Sequence, residues 1–356
     1  MPYDKILRFL RDSSGGDFAA LALAAFAFQF ERIPAYRRLC ERRGRQPGSL
    51  GSWREIPAVP TVAFKSLDLS AAPGGIVFRS SGTTAGDQRR SVHRNPYPEL
   101  YRQAIDRSFP QACLPSQAPL PMLSLIPPRS LVADSSLAFM ADHIFDRWSS
   151  ARSVCAMTAD GLDVGAADAW AAARAGEASS EPVLILATAL ALLQWLEHLE
   201  DRGKRFPLPP DTVLFETGGF KGRRREVTRG ELLLKVRQRL GLGADRVVRE
   251  YGMTELSSQF YTRPSVDGDL FRAPPWARVR IVDPRDLSEV SDGRPGLVGI
   301  VDLANLGSAV HVLTEDLGVA EGGGFRLLGR ASGAELRGCS LTAEELADGT
   351  PLGTKE

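Results

Sequence analysis

The spacing of apolar positions divides the chain into three stretches with different periods. Up to about Arg45 it reads as helical: an apolar run of eleven residues at 18–28, then a basic stretch from Arg37 to Arg45, closed by Pro47-Gly48. A Pro-rich connector, Ile56-Pro57-Ala58-Val59-Pro60, leads to Ile76-Val77-Phe78, which predicts a buried strand behind Gly74-Gly75. Asn95-Pro96 reads as a helix start with Pro at the first helical position, and Tyr97, Leu100, Tyr101, Ala104 and Ile105 follow at helical spacing. Leu123-Ser124-Leu125-Ile126 predicts another strand inside a Pro-rich crossing at 115–128.

In the middle stretch, strand and helix alternate. Val183-Leu184-Ile185-Leu186 is a strand, and 190–199 is a helix ended near Gly203. Val213-Leu214-Phe215 is the next strand, and the capping box Thr228-Arg229-Gly230-Glu231 opens a helix that Gly241 stops. Arg246-Val247-Val248-Arg249 is a third strand. Short joins between such elements mean a parallel sheet with right-handed crossovers, where ligands bind at the carboxyl ends of the strands. From about Leu270 the pattern changes to short strands at 277–282, 297–301, 310–313 and 324–328, a smaller β-rich unit. The expected division is a helical segment at 1–56, an α/β core at 57–269, a β-rich subdomain at 270–330 and a short C-terminal segment at 331–356 that carries Cys339.

Composition narrows the class. With 356 residues, 43% hydrophobic, 24% charged and a net charge of +1, the chain has ample core and no general surface for nucleic acid or anionic membrane. Its four cysteines and four histidines lack metal spacing, which suits a reducing, cytoplasmic setting. Cys155 and Cys113 read as buried and structural. The run at 18–28 is too short to span a bilayer; with Asp17 before it and Gln29 after it, a buried Ala-rich helix is expected.

Candidate chemistry sits in loops. Ser80-Ser81-Gly82-Thr83-Thr84-Ala85-Gly86 offers hydroxyls and free main-chain N–H groups, a nest suited to phosphate oxygens. Glu216-Thr217-Gly218-Gly219-Phe220-Lys221-Gly222 leaves a strand through a glycine pair, bare backbone on which a flat ring can lie. Tyr251-Gly252-Met253-Thr254-Glu255 adds a stacking face, a hydroxyl for a phosphate oxygen and a carboxylate for magnesium. Thr314-Glu315-Asp316 carries a carboxylate fit for a ribose diol, and Gly329-Arg330 a fixed cation. Each also has a plain reading: Tyr251 as core, Glu255 as helix-end charge, Asp316 as a turn residue, Arg330 as a surface ion-pair partner.

In order, these motifs resemble the adenylate-forming superfamily of acyl-CoA synthetases, peptide-synthetase adenylation domains and luciferases. The closer resemblance is to the bioluminescence acyl-protein synthetases, the LuxE family. It rests on Phe78-Arg79-Ser80-Ser81-Gly82-Thr83-Thr84, Glu216-Thr217-Gly218-Gly219-Phe220-Lys221-Gly222 and Leu336-Arg337-Gly338-Cys339-Ser340-Leu341. The resemblance implies an α/β fold: an adenylate-forming large domain with parallel sheets, a small β-rich subdomain and a much reduced C-terminal domain. It also implies an ATP- and Mg2+-dependent ligase that activates a carboxylic acid, a fatty acid, as acyl-adenylate.

On that resemblance Ser80, Ser81, Gly82, Thr83, Thr84 and Gly86 hold phosphates, and Gly218, Gly219 and Tyr251 sandwich adenine. Thr254 touches the α-phosphate, Glu255 ligates magnesium, Asp316 holds the ribose, and Arg330 belongs to the hinge motif. Two departures stand out. Only 26 residues follow Arg330, so the superfamily's C-terminal domain with its catalytic lysine is not expected, and Ala331 replaces the usual Asp. Lys221 is the candidate replacement cation, with a structural ion pair as its alternative. In the family the acyl group passes to a cysteine near the C-terminus and then to an acyl-reductase partner; Cys339 stands in that place, three residues before Thr342-Ala343-Glu344-Glu345. It is the expected nucleophile, an inert surface cysteine being the alternative. His143, beside Phe139 and Phe145, is a candidate wall of the acyl pocket. Rival functions are loading of coenzyme A or a carrier-protein thiol, and a non-catalytic nucleotide-binding subunit.

Overall fold

Strands covered on both faces need apolar residues at consecutive positions, and Met122–Leu125 and Leu184–Thr188 carry them. The computed structural model describes residues 1–13, 16–81, 90–114, 119–175, 181–219, 227–331, Thr342 and Leu346. Among these, Val154–Cys155, Met122–Leu125, Leu184–Thr188, Val213–Thr217 and Val247–Tyr251 lie side by side in that order, all parallel. Numbered along the chain the order is 2-1-3-4-5, a doubly wound arrangement.

Successive residues of these strands enter two different cores, because side chains alternate across a sheet. Leu123, Ile185, Leu214 and Val247 pack under the helices Val164–Ala175, Ala189–Asp201 and Arg229–Leu240. Met122, Leu184, Phe215 and Val248 face the helices Pro98–Cys113 and Ser136–Trp148. The capping box at Thr228 is formed, and Gly241 ends that helix at φ 74°, a conformation that favours glycine.

Beyond Val247–Tyr251 the same sheet turns antiparallel. It continues through Phe260–Thr262, Phe271–Arg272, Gly324–Arg330, His311–Glu321, Pro295–Asp302 and Ala277–Val282, and Val59–Pro60 pairs along His311–Glu321. The change of pattern near Leu270 therefore marks a switch to short hairpins within continuous hydrogen bonding.

The N-terminal helices Pro2–Arg11, Phe18–Arg32 and Pro34–Arg42 join the core of this antiparallel part. Asp17 caps the second by accepting from the Ala19 N–H at 2.9 Å. Gln29, which the sequence shows only as the end of an apolar run, is fully buried. Its amide donates to the Asn305 and Leu306 carbonyls and accepts from the Val310 N–H. Among the described residues no single helix is long and apolar enough to cross a membrane.

Two expectations need correction. Asn95 ends a strand, Val92–Asn95, paired with Ile76–Arg79 in a two-stranded ribbon outside the large sheet. The helix begins at Pro98, because Asn95 accepts from the Tyr97 N–H and makes the turn itself. Cys155 is exposed, not buried: it lies on the edge strand Val154–Cys155, whereas Cys113 is buried as expected.

His311 shows how the connector is held. Its ring is buried, Nδ1 lies 2.7 Å from the Ile56 carbonyl, and burial pushes its pKa down from 6.5 to about 4. A carbonyl only accepts, so the neutral ring donates from Nδ1. The unfolded chain takes up a proton below pH 6.5 that the folded one refuses, so this stability is present above 6.5 and lost as pH falls towards 4. Denaturant titrations of the wild type and His311→Gln should show the stability difference between them moving against the wild type by about 2–3 kcal/mol over that window.

Candidate active site

The loop after Val247–Tyr251 does not run over the surface. Glu255, Ser257, Ser258 and Gln259 are buried, so their main-chain groups need internal partners. His93 Nδ1 lies 2.7 Å from the Thr254 carbonyl, and burial holds that ring neutral by lowering its pKa to about 4. Asn305 donates to the Glu255 carbonyl at 2.9 Å and to the Ala309 carbonyl at 2.8 Å, and its Oδ1 accepts from the Ser257 hydroxyl. Asp302 accepts from the Ser257 N–H at 3.0 Å and the Ser258 hydroxyl at 2.6 Å. Burial raises its pKa to about 6 against these hydrogen bonds.

The network also locates the ribbon. His93 reaches Thr254, and Asn95 reaches the Ser257 hydroxyl at 3.4 Å, so the ribbon's end at Ser80 stands beside Glu255. The Ser80 N–H donates to the Ser91 carbonyl at 3.1 Å, and the Ser91 N–H donates to Ser80 Oγ at 3.0 Å. Arg90 donates to the Ser80 carbonyl and pairs with Asp134 at 3.0 Å, while the Arg79 N–H donates to the Asp134 carbonyl. Ser80 and the chain at 90–91 are thereby held together; Gly82, Thr83, Thr84 and Gly86 lie outside the described residues.

A cleft of about 1100 Å3 opens where these segments meet. Ser80, Ser81, Gly218, Gly219, Tyr251, Thr254, Glu255, Asp316 and Arg330 all line it. Gly218 has φ 78°, and a Cβ on Gly219 would meet nothing within 4 Å, so bare backbone faces open space there. The Tyr251 ring packs among Phe260, Phe271 and Phe325, and its hydroxyl donates to Asp316 Oδ2 at 2.8 Å. Arg330 pairs with Glu315 at 3.1 Å and lies 3.5 Å from Asp316. Glu315, which replaces a glycine of the motif, is thus the arginine's main partner. Burial raises the Glu255 pKa, against a hydrogen bond from the Ser91 side chain.

Other expectations fall elsewhere. His143 is not among the cleft-lining residues: its Nε2 sits 2.8 Å from Asp106 and its ring meets Trp148 edge-on. A carboxylate partner on the neighbouring helix, Asp106, engages the imidazole outside the cleft lining, which corrects its assignment as an acyl-pocket wall. The loop after Leu184–Thr188 adds nothing to the lining either, since Thr188 caps the next helix. Lys221 and Cys339 lie outside the described residues. Thr342, three residues beyond Cys339, is buried and accepts from Arg43 at 2.7 Å; Leu346 is buried in the core shared with the N-terminal helices.

Sequence reading missed the residues that hold the site. His93 and Asn95 alternate with Val92 and Arg94, so two polar side chains at inward strand positions were the available signal. Glu216 is buried and its pKa raised by burial, with Arg229 at 2.9 Å opposing that rise. This pair joins the strand before the glycine pair to the helix after it.

The sequence matches the family described as acyl-protein synthetase, LuxE, over residues 9–347. No curated protein matches it. Among solved structures, the fold is similar to an open conformation of 2-hydroxyisobutyryl-CoA ligase in complex with 2-HIB-AMP and CoA. That match has a TM-score of 0.63 and 17% identity, covering 87% of this chain and 74% of that one. The same ligase in the postadenylation state, in complex with 2-HIB-AMP, matches with a TM-score of 0.63 and 16% identity, covering 87% and 67%. The chain belongs to the LuxE acyl-protein synthetase family and has the α/β fold of adenylate-forming enzymes; family and fold together support a ligase of that type.

Replacing Asn305 by Ala strands the Glu255 and Ala309 carbonyls without a donor. Stability should drop by about 2–4 kcal/mol in denaturant titration, more than a single surface hydrogen bond is worth. A drop below about 0.5 kcal/mol would mean that water replaces the side chain and the network is not what holds the loop.

Proposed function

We propose that this LuxE-family protein activates a carboxylic acid with ATP and passes the acyl group to its own Cys339, then to an acyl-reductase partner. A carboxylate resists nucleophiles because its leaving group would be oxide. When its oxygen attacks the α-phosphate of ATP, pyrophosphate leaves and the acyl carbon gains AMP as a leaving group. Attack by the Cys339 thiolate then forms a thioester and releases AMP. The observation that carries this reading is the convergence of Ser80–Ser81, Gly218–Gly219, Tyr251–Glu255 and Asp316–Arg330 on one cleft.

In this reading Ser80 and Ser81, with Gly82, Thr83, Thr84 and Gly86, hold the phosphates. The bare backbone of Gly218 and Gly219 takes one face of adenine, with Tyr251 beside it. Asp316 keeps acceptor capacity for the ribose diol after accepting from Tyr251. Thr254 meets the α-phosphate. Magnesium takes one or two carboxylates and completes its shell with phosphate oxygens and water, and Glu255 is a buried carboxylate facing the cleft. Bound magnesium would neutralise phosphate charge; Arg330 is a cation lining the cleft, and Lys221 is the candidate replacement for the superfamily's catalytic lysine. Catalysis is then largely positioning and charge stabilisation. The division at 1–56, 57–269, 270–330 and 331–356, a cytoplasmic setting and a fatty acid as substrate belong to the same proposal.

Acid-dependent ATP–pyrophosphate exchange should be present in the wild type and fall by roughly 100-fold or more in Glu255→Ala. Nucleotide binding with no exchange for any acid would identify a non-catalytic subunit instead. After incubation with labelled acid and ATP, denaturing electrophoresis should show label retained by the wild type and lost in Cys339→Ala. Equal label in both, or none in either, would shift the acceptor to coenzyme A or a carrier-protein thiol.

A further inference from the structure

Side-chain alternation divides the cleft. Glu216, Arg249 and Tyr251 point to one face of the sheet, where Arg229 pairs with Glu216; Thr217 and Glu250 point to the other. On that second face the lining includes Tyr101, Ile126, Leu137 and Met140, with Ser136 and the buried amide of Gln259 beside them; the Tyr101 hydroxyl donates to the Ser136 carbonyl. Under the proposed reading the first face takes the nucleotide and the second takes the acyl part of the acid.

Glu250 is the carboxyl in this wall. It is 9% exposed and lines the cleft, and no cation pairs with it among the described residues. Its one hydrogen-bond partner there is the hydroxyl of Thr217, its cross-strand neighbour, which donates to Oε2. Among the described residues Oε1 has no hydrogen-bond partner, and it lies over Gly252: a Cβ on Gly252 would collide with it, so the glycine leaves room for the carboxyl at the cleft wall. Burial raises the pKa of this group to about 7, against the Thr217 hydrogen bond. A buried carboxyl with one oxygen unanswered is unfavourable, and an apolar residue would fill the same wall without that cost.

We infer that Glu250, held by Thr217, is a specificity residue for the acid: it accepts a hydrogen bond from a hydroxyl or amino group in the acyl part of the substrate. The inference rests on the adenylation reading above and narrows its substrate from a plain alkyl acid to one carrying a hydrogen-bond donor. A site with a buried polar group discriminates strongly against the analogue that leaves the group unpaired, whereas an apolar pocket distinguishes such pairs weakly.

The test is acid-dependent ATP–pyrophosphate exchange with chain-matched acids: unsubstituted, hydroxyl-substituted at successive carbons, and amino-substituted. The wild type should favour the best donor-bearing acid over its unsubstituted counterpart by at least about 30-fold in kcat/KM. Glu250→Met should collapse that ratio to about unity or below while nucleotide binding persists. Glu250→Gln should keep the preference for a hydroxyl and lose the preference for an amine, if charge is what recognises the amine. A structural cross-strand role would lower all acids together and leave the ratio unchanged. An unsubstituted acid preferred by the wild type overturns the inference, as does a ratio unmoved in Glu250→Met; should Glu250→Met not fold, the wild-type ratio decides. Exchange with none of the acids overturns the adenylation reading itself, an outcome distinct from a flat preference among active acids.

Discussion

Everything around the cleft depends on a buried loop having its hydrogen bonds answered. After the half-buried residues 252–254 the chain is buried from Glu255 to Thr262, and polar backbone in a dry interior is costly unless paired. The partners come from distant parts of the sequence: His93 from the ribbon, Asp302 from the end of a strand of the antiparallel half and Asn305 from just beyond it. Gln29 extends the network into the N-terminal helices through the Asn305 and Leu306 carbonyls. The arrangement that satisfies this loop therefore also sets where Ser80, Glu255 and the N-terminal helices stand relative to one another.

A second constraint comes from the two-residue period of a strand. At the carboxyl end of the parallel sheet, Glu216 and Arg249 face one side, Thr217 and Glu250 the other, so adjacent residues serve different halves of one cleft. Shifting the register by one residue would exchange the two halves, and the apolar cores on both faces hold it against that shift.

The carboxylates of the cleft illustrate how environment separates like groups. Among the described residues Glu216 has Arg229 as a close partner, Asp316 has the Tyr251 hydroxyl and a nearby arginine, and Glu250 has a single threonine. Burial works against ionisation at Glu216, Glu250 and Glu255 alike; what differs is which neighbour opposes it. The glutamate at 315 departs from its motif and meets Arg330 in an ion pair, one substitution in the pattern matched by a contact in the fold.

Much was legible in the residues alone. Consecutive apolar positions, the Thr228 capping box and Gly241 specify the parallel half, because these are local preferences that act within a few residues. The cleft-lining motifs were legible too, since glycine pairs, hydroxyl runs and a Tyr-Gly-Met-Thr-Glu string each carry their own chemistry. The tertiary structure alone decided which polar residues hold that cleft together. His93, Asn305 and Glu250 carry no local signal of their partners, because those partners are brought near by folding over long sequence separations. His143 and Cys155 misled for the same reason: whether a side chain meets a cleft, a neighbouring carboxylate or solvent depends on which element packs beside it, and the identity of the residue does not encode that.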